Sequence, residues 1–133
     1  MGRRADWVLL AAIVLIHLGM SIAHGVAHAA AGVPTTAAMN VFIGLVIFAG
    51  PVAGLYLSRS RPVPGGWLVA ATMAASLVFG AVNHFVIESS DHVAHVVGPW
   101  QPAFAASAVL LAITETAGTG AGAWFAMGRR SHI

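Results

Sequence analysis

Long apolar runs broken by short polar stretches repeat along the whole chain. A helix that crosses a bilayer needs about 20 mostly apolar residues. Four segments meet that need, over about 7–31, 38–57, 67–87 and 102–127. The separators carry turn chemistry: Gly32 to Thr36 around Pro34, Ser58 to Gly66 with Pro62 and Pro64, and a longer stretch from Glu88 to Gln101 that includes Gly98 and Pro99. Glycine and proline punctuate helices. The pattern therefore predicts an all-α fold, a single integral membrane four-helix bundle.

Polar and small residues inside the spans recur at helical spacing. The first span carries His17, Ser21, His24 and His28, the third Ser76, Gly80, His84 and Glu88. The second carries Asn40, Gly44, Ile47, Pro51 and Gly54, and the fourth Ser107, Leu111, Glu115, Gly118 and Gly122. Residues three and four apart share one helix face. In a membrane, polar side chains face protein or water, and small residues let helices approach closely. Each span is thus expected to turn one seam inward. Pro51 is expected to kink the second span, with the carbonyl it frees satisfied by a neighbour.

Composition removes the soluble alternatives. Only 8% of the 133 residues are charged and 59% are hydrophobic, against about 25% charged in an ordinary soluble domain. Disorder needs the opposite composition. The six basic residues are all arginine and come as Arg3/Arg4, Arg59/Arg61 and Arg129/Arg130. They punctuate apolar runs instead of forming a basic face, so the pI of 10.6 does not point to nucleic acid. In a four-span arrangement all three pairs fall on one side. Positive residues stay cytoplasmic, which predicts both termini inside a plasma or inner membrane. Trp7, Trp67, Trp124 and Tyr56 then lie near the inner interface and Trp100 near the outer one. The first apolar stretch exceeds the 7–15 residues of a signal-peptide core, so it is expected to be a retained span. Cysteine is absent, which excludes disulfides and thiolate metal sites.

Depth adds candidate chemistry. His24 lies 17 residues beyond Trp7, and His84 lies 17 beyond Trp67, on helices that run the same way. At about 1.5 Å per residue both stand about 25 Å above the inner interface. His28 and Glu88 follow one turn further out, and Asp91, His92 and His95 come next. If the third helix continues, Asp91 and His95 extend its stripe; if it stops near Ser89, Asp91 caps a short interfacial helix. Either way His24, His28, His84, Glu88, Asp91, His92 and His95 gather at the extracytoplasmic end. Imidazole with carboxylate suits zinc, iron, manganese or copper(II). The expectation is a mono- or dinuclear metal site, with Asn40 and Asn83 orienting its ligands. An open coordination position there would make a metal-dependent oxidoreductase or hydrolase. His17 and Glu115, both near the bilayer centre, are expected to pair or to form one step of a proton relay.

The box His24-Gly25-Val26-Ala27-His28 resembles the first His-x-x-x-His box of membrane hydroxylases and desaturases. The resemblance covers these few residues. Asp91-His92-Val93-Ala94-His95 lacks the adjacent histidine pair of that family's later boxes, and that family holds its metals on the cytoplasmic side. No activity is carried over from it. The alternative expectations are a b-type haem held by His24 and His84, and a small non-catalytic subunit of a larger membrane complex or homo-oligomer packed through its glycine seams. A metal or proton transporter ranks last, because the inner halves of the second and third spans offer only Thr72 and Ser76.

Overall fold

In the computed structural model, residues 3–128 are described; Arg129, Arg130 and His132 lie outside them. Helix α1 (Arg3–Ala30) ends where Gly32 adopts φ +69. There the Val33 amide donates to the His28 carbonyl at 3.2 Å and the Gly32 amide to Ala29 at 3.1 Å. This is the left-handed glycine stop that satisfies a helix's last carbonyls. Helix α2 (Ala37–Leu57) starts under a Thr36 cap, whose hydroxyl accepts from the Met39 amide at 3.1 Å. It winds as α to Phe42, as a π segment over Ile43–Ala49, and as α again from Gly50.

The π segment has a visible cause. Pro51 has no N–H, so the carbonyl four residues back, Ile47, loses its α-helical donor. The wider winding lets the Gly50 amide reach the Leu45 carbonyl instead. The Ile47 carbonyl is bonded by His17 Nε2, on α1, at 3.1 Å. That is the neighbour the Pro51 kink required.

Helix α3 (Pro62–Val86) begins earlier than 67, because Pro62 and Pro64 fall in its first turn, where a missing N–H costs nothing. Its last turn, Val82–Val86, is again π-wound. The chain leaves the helix at Ile87 in extended conformation, φ −79 and ψ 124. Glu88 therefore does not continue the α3 stripe: the helical pairing of His84 with Glu88 is not formed, and Glu88 is exposed. Residues 87–100 form turns and bends, so neither the continued stripe nor an interfacial helix is present. Gly98 at φ +94 turns the chain into α4 (Gln101–Met127), which has Pro102 in its first turn.

The described residues contain no strand. All four helices are long and apolar enough to cross a membrane, with mean hydropathies of 2.0, 2.0, 1.7 and 1.3 in chain order. Leu15, Ile16, Ile22, Leu45, Val78 and Ile113 are each more than half exposed around the bundle. A water-facing surface would not carry so broad an apolar girdle; a lipid-facing one needs it.

Helices α3 and α4 meet at backbone contact. A Cβ on Gly122 would stand 2.7 Å from the Ala70 nitrogen, and one on Gly66 would stand 2.8 Å from the Gly122 carbonyl oxygen. At the arginine end, Leu10, Val14, Val69, Met73 and Phe125 form the core. The Trp7 indole donates to the Ser58 hydroxyl at 3.0 Å, and the Arg59 guanidinium lies 4.9 Å over the Trp7 ring. At the opposite, histidine end, Ala27, Val96 and Phe104 pack together.

The second helix departs from the expected compact bundle. Its Gly50–Leu57 half is tight against α3: a Cβ on Gly54 would meet the Val69 nitrogen at 2.8 Å. Its Ala37–Phe42 half has no buried residue, and nothing lies within 4 Å of where a Gly44 Cβ would be. The predicted seam of small residues is packed at Pro51 and Gly54 and open at Asn40 and Gly44. The splay leaves a cavity of about 370 Å³ among the four helices.

Candidate functional site

The cavity is walled by apolar side chains such as Ile22, Ile43, Phe48, Phe79 and Leu111. Its polar face comes from the predicted seams: Ser21, His24 and His28 of α1, Ser76 and His84 of α3, and Glu115 of α4, joined by Asp91 from the loop. The inward stripes of α1, α3 and α4 were thus legible from spacing. His17, Ser21, His24, Ser76, His84, Ser107 and Glu115 are all buried.

Four of the seven expected ligands come together, joined by hydrogen bonds. His24 Nδ1 lies 2.8 Å from the Ser107 hydroxyl. His24 Nε2 lies 3.1 Å from His84 Nε2. His84 Nδ1 lies 3.0 Å from the Asp91 carbonyl and 3.2 Å from Asp91 Oδ1. His28 Nε2 donates to the same Oδ1 at 2.8 Å. The loop makes this possible by folding back over the end of α3, where the Val93 amide donates to the His84 carbonyl at 3.0 Å.

Neighbours fix the tautomers. The Ser107 hydroxyl donates to the Ala103 carbonyl at 2.7 Å, so its oxygen is left to accept, and His24 Nδ1 carries the proton between them. Both partners of His84 Nδ1 are acceptors, so that nitrogen also carries a proton. With each Nδ1 committed as a donor, two neutral rings would point Nε2 lone pairs at each other across 3.1 Å. The contact is a hydrogen bond only if one further proton sits between them.

Asp91 is the counter-charge. Burial to 4% exposure opposes its ionisation. The hydrogen bonds from His28 and His84 outweigh burial and hold the carboxyl well below the usual carboxylate range.

The other expected residues lie apart. His92 and His95 sit on the loop, ring centroids 5.1 Å apart. His92 Nδ1 accepts from the Ala94 amide at 3.1 Å, and His95 Nδ1 donates to the Ser89 carbonyl at 2.8 Å. Asn83 bonds its own helix at the Phe79 carbonyl, 2.8 Å away, and Asn40 lines the cavity without bonding a histidine. His17 turns to Ile47 instead of Glu115, and its buried Nδ1 has no hydrogen-bond partner among the described residues.

Glu115 is 3% exposed and faces the cavity beside His84. A Cβ placed on Gly80 would stand 3.9 Å from His84 Cδ2 and 4.0 Å from Glu115 Oε2. No described residue donates a hydrogen bond to the Glu115 carboxyl.

Sequence spacing missed Ser107 as the partner of His24. The available signal was that Ser107 shares the Glu115 face two turns away. Among the described residues, no group of three or more His, Asp or Glu is arranged to hold a metal ion. The His24 and His84 rings touch edge to face, centroids 4.8 Å apart, which leaves no space for a macrocycle between them. No family model, curated protein or solved structure matches the chain.

Proposed function

We propose that this membrane protein binds a small molecule in the cavity at the histidine end, at a site charged by one proton shared between His24 and His84. The carrying observation is the pair of Nε2 atoms 3.1 Å apart, with both Nδ1 atoms already committed as donors. A shared proton supplies one positive charge, and Asp91 balances it at the far side of His84. The cavity lies within the size range of small-molecule sites, about 300–1,000 Å³, which are mostly apolar with a few convergent polar groups. We place the arginine end at the cytoplasmic face, so that the cavity belongs to the extracytoplasmic half.

A second reading keeps the expected metal at the same two nitrogens. Two imidazole nitrogens on a tetrahedral zinc, each about 2.0–2.1 Å from it, stand about 3.3 Å apart. Metal-bound imidazoles also donate their other N–H to a carboxylate, carbonyl or hydroxyl, as His84 and His24 do here. Only two nitrogens converge, so zinc, iron or copper would need further ligands from water or the occupant. The proton requires no rearrangement and is preferred.

Nitrogen-15 NMR of histidine-labelled protein in lipid nanodiscs, with metal analysis of the same sample, tests both. The expected result is three protonated ring nitrogens among the four of His24 and His84, with no stoichiometric metal. One equivalent of bound metal, with loss of the shared proton, would establish the second reading. Two neutral rings with bare Nε2 atoms would overturn both.

A further inference from the structure

The cavity wall contains two carboxyl groups and one shared proton. Asp91 takes hydrogen bonds from His28 and His84. Glu115 takes none from the described residues, yet it is only 3% exposed, and it faces the same space. The chain has no Lys, and among the described residues no Arg lines the cavity. An ionised carboxylate left without a partner in an apolar environment is costly, and the rest of the cavity surface is dominated by aliphatic and aromatic side chains. Phe79, which lines the cavity, stacks on Phe42 at 4.5 Å, and Phe48 lines it too.

We infer that the cavity's occupant is a monovalent organic cation, an ammonium carrying a compact apolar body, with its charge set against Glu115 and its body against Phe48, Phe79 and the α2 wall. This rests on the small-molecule reading above and names its ligand class. A positive head supplies the partner that Glu115 lacks and completes the charge balance of the site. Aromatic walls favour an ammonium through the negative ring face. An anion would add a second negative charge beside Glu115, and the one positive charge of the site, on His24 and His84, is already balanced by Asp91. The volume is more than twice the about 150 Å³ that holds a benzene, so a substituted ring with its ammonium fits. Gly80 leaves open the space between His84 and Glu115, and Ile22, Gly25 and Asn40 at the rim are exposed, which gives an approach from the bilayer.

The test compares benzyltrimethylammonium with neopentylbenzene, its uncharged isostere in which carbon replaces the ammonium nitrogen. Both are titrated into labelled protein in nanodiscs, with the His84 ring and Gly80 amide signals as readout. The cation is expected to bind saturably and at least about tenfold more tightly than the isostere, because only its charge is attracted by the Glu115 carboxylate and the aromatic ring faces. Glu115→Gln should lose about tenfold or more for the cation and little for the isostere. Gly80→Val, which keeps the carboxyl and fills the space beside it, should weaken both. If Glu115→Gln fails to fold, Glu115→Asp retains the charge on a shorter stem and should keep the preference for the cation. Equal affinity for the two probes, or an unchanged cation affinity in folded Glu115→Gln, would overturn the ligand class. If neither probe binds while the shared His24–His84 proton is observed, the ligand inference falls and the histidine pair stands.

Discussion

Replacing Asp91 should destabilise this protein more than any other single change in the loop, and the size follows from its contacts. Its Oδ1 accepts from His28 at 2.8 Å and from His84 at 3.2 Å, with the side chain 6% exposed. Hydrogen bonds to charged groups contribute about 1.5–3 kcal/mol each, and removing one partner of a buried ion pair costs about 3–5 kcal/mol. His84 retains the Asp91 backbone carbonyl at 3.0 Å, so the loss falls mainly on His28. Asp91→Ala should therefore cost about 3 kcal/mol, the lower end of that range. Asp91→Asn keeps one acceptor oxygen and should cost about half as much. Unfolding in mixed dodecyl sulfate micelles, followed by circular dichroism, measures both. The acid dependence has a definite sign. The folded-state carboxyl titrates below its unfolded value of about 3.9, so the folded protein binds fewer protons there. Its stabilisation is complete above about pH 5 and drains as the pH falls through the unfolded value towards the folded one. The Ala variant should lose that part of the acid sensitivity. An Asp91→Ala protein within about 0.5 kcal/mol of the parent, the range of an ordinary surface change, would refute the reasoning.

Gly122→Val should separate α3 from α4 and cost about 1–3 kcal/mol or more, whereas Gly19→Ala, with nothing within 4 Å of its new Cβ, should be neutral or slightly stabilising; micelle unfolding reads both. Trp7→Phe keeps the ring over which Arg59 lies but removes the donor to Ser58, and should cost about 0.5–1.5 kcal/mol in the same assay. Pro51→Ala restores an amide that can bond the Ile47 carbonyl, so His17→Phe should be less damaging in that background than in the parent, with a coupling of about 0.5–3 kcal/mol in a double-mutant cycle. Reporter fusions at Arg61 should read cytoplasmic and at Val97 external; a cytoplasmic signal at Val97 would reverse the orientation proposed for the cavity.

The spans and the buried stripes of α1, α3 and α4 were legible because bilayer thickness fixes helix length and the 3.6-residue period fixes helix faces. His24 and His84 meet because both conditions hold over the same 17 residues. The end of α3 was not legible. Glu88 keeps the stripe's spacing, but the chain turns extended at Ile87, and Asp91 returns over His84 to occupy the place Glu88 would have taken. The splay of α2 was hidden for a related reason. Asn40 and Gly44 obey the period of a packed seam, yet period alone cannot say whether a partner helix stands opposite. The link from His17 to Ile47 needed two facts at once, a proline four residues downstream and a histidine at matching depth on another span. Spacing within one span shows only the first.

The π segment in α2 has a consequence for how the cavity can vary. A π turn holds one residue more than the α-helix around it. Deleting one residue from 43–49 would let the segment wind as α while the turns before it keep their present faces, because the bulge alone absorbs the extra residue. Met39 and Asn40 would stay on the cavity wall, while the stretch that carries Ile43, Ile47 and Phe48 into it would change register and present different side chains. The histidines, Asp91 and Glu115 reside on other elements and would stay where they are. A single-codon deletion is thus a route by which descendants of this chain can change what the cavity admits while inheriting its charged centre intact.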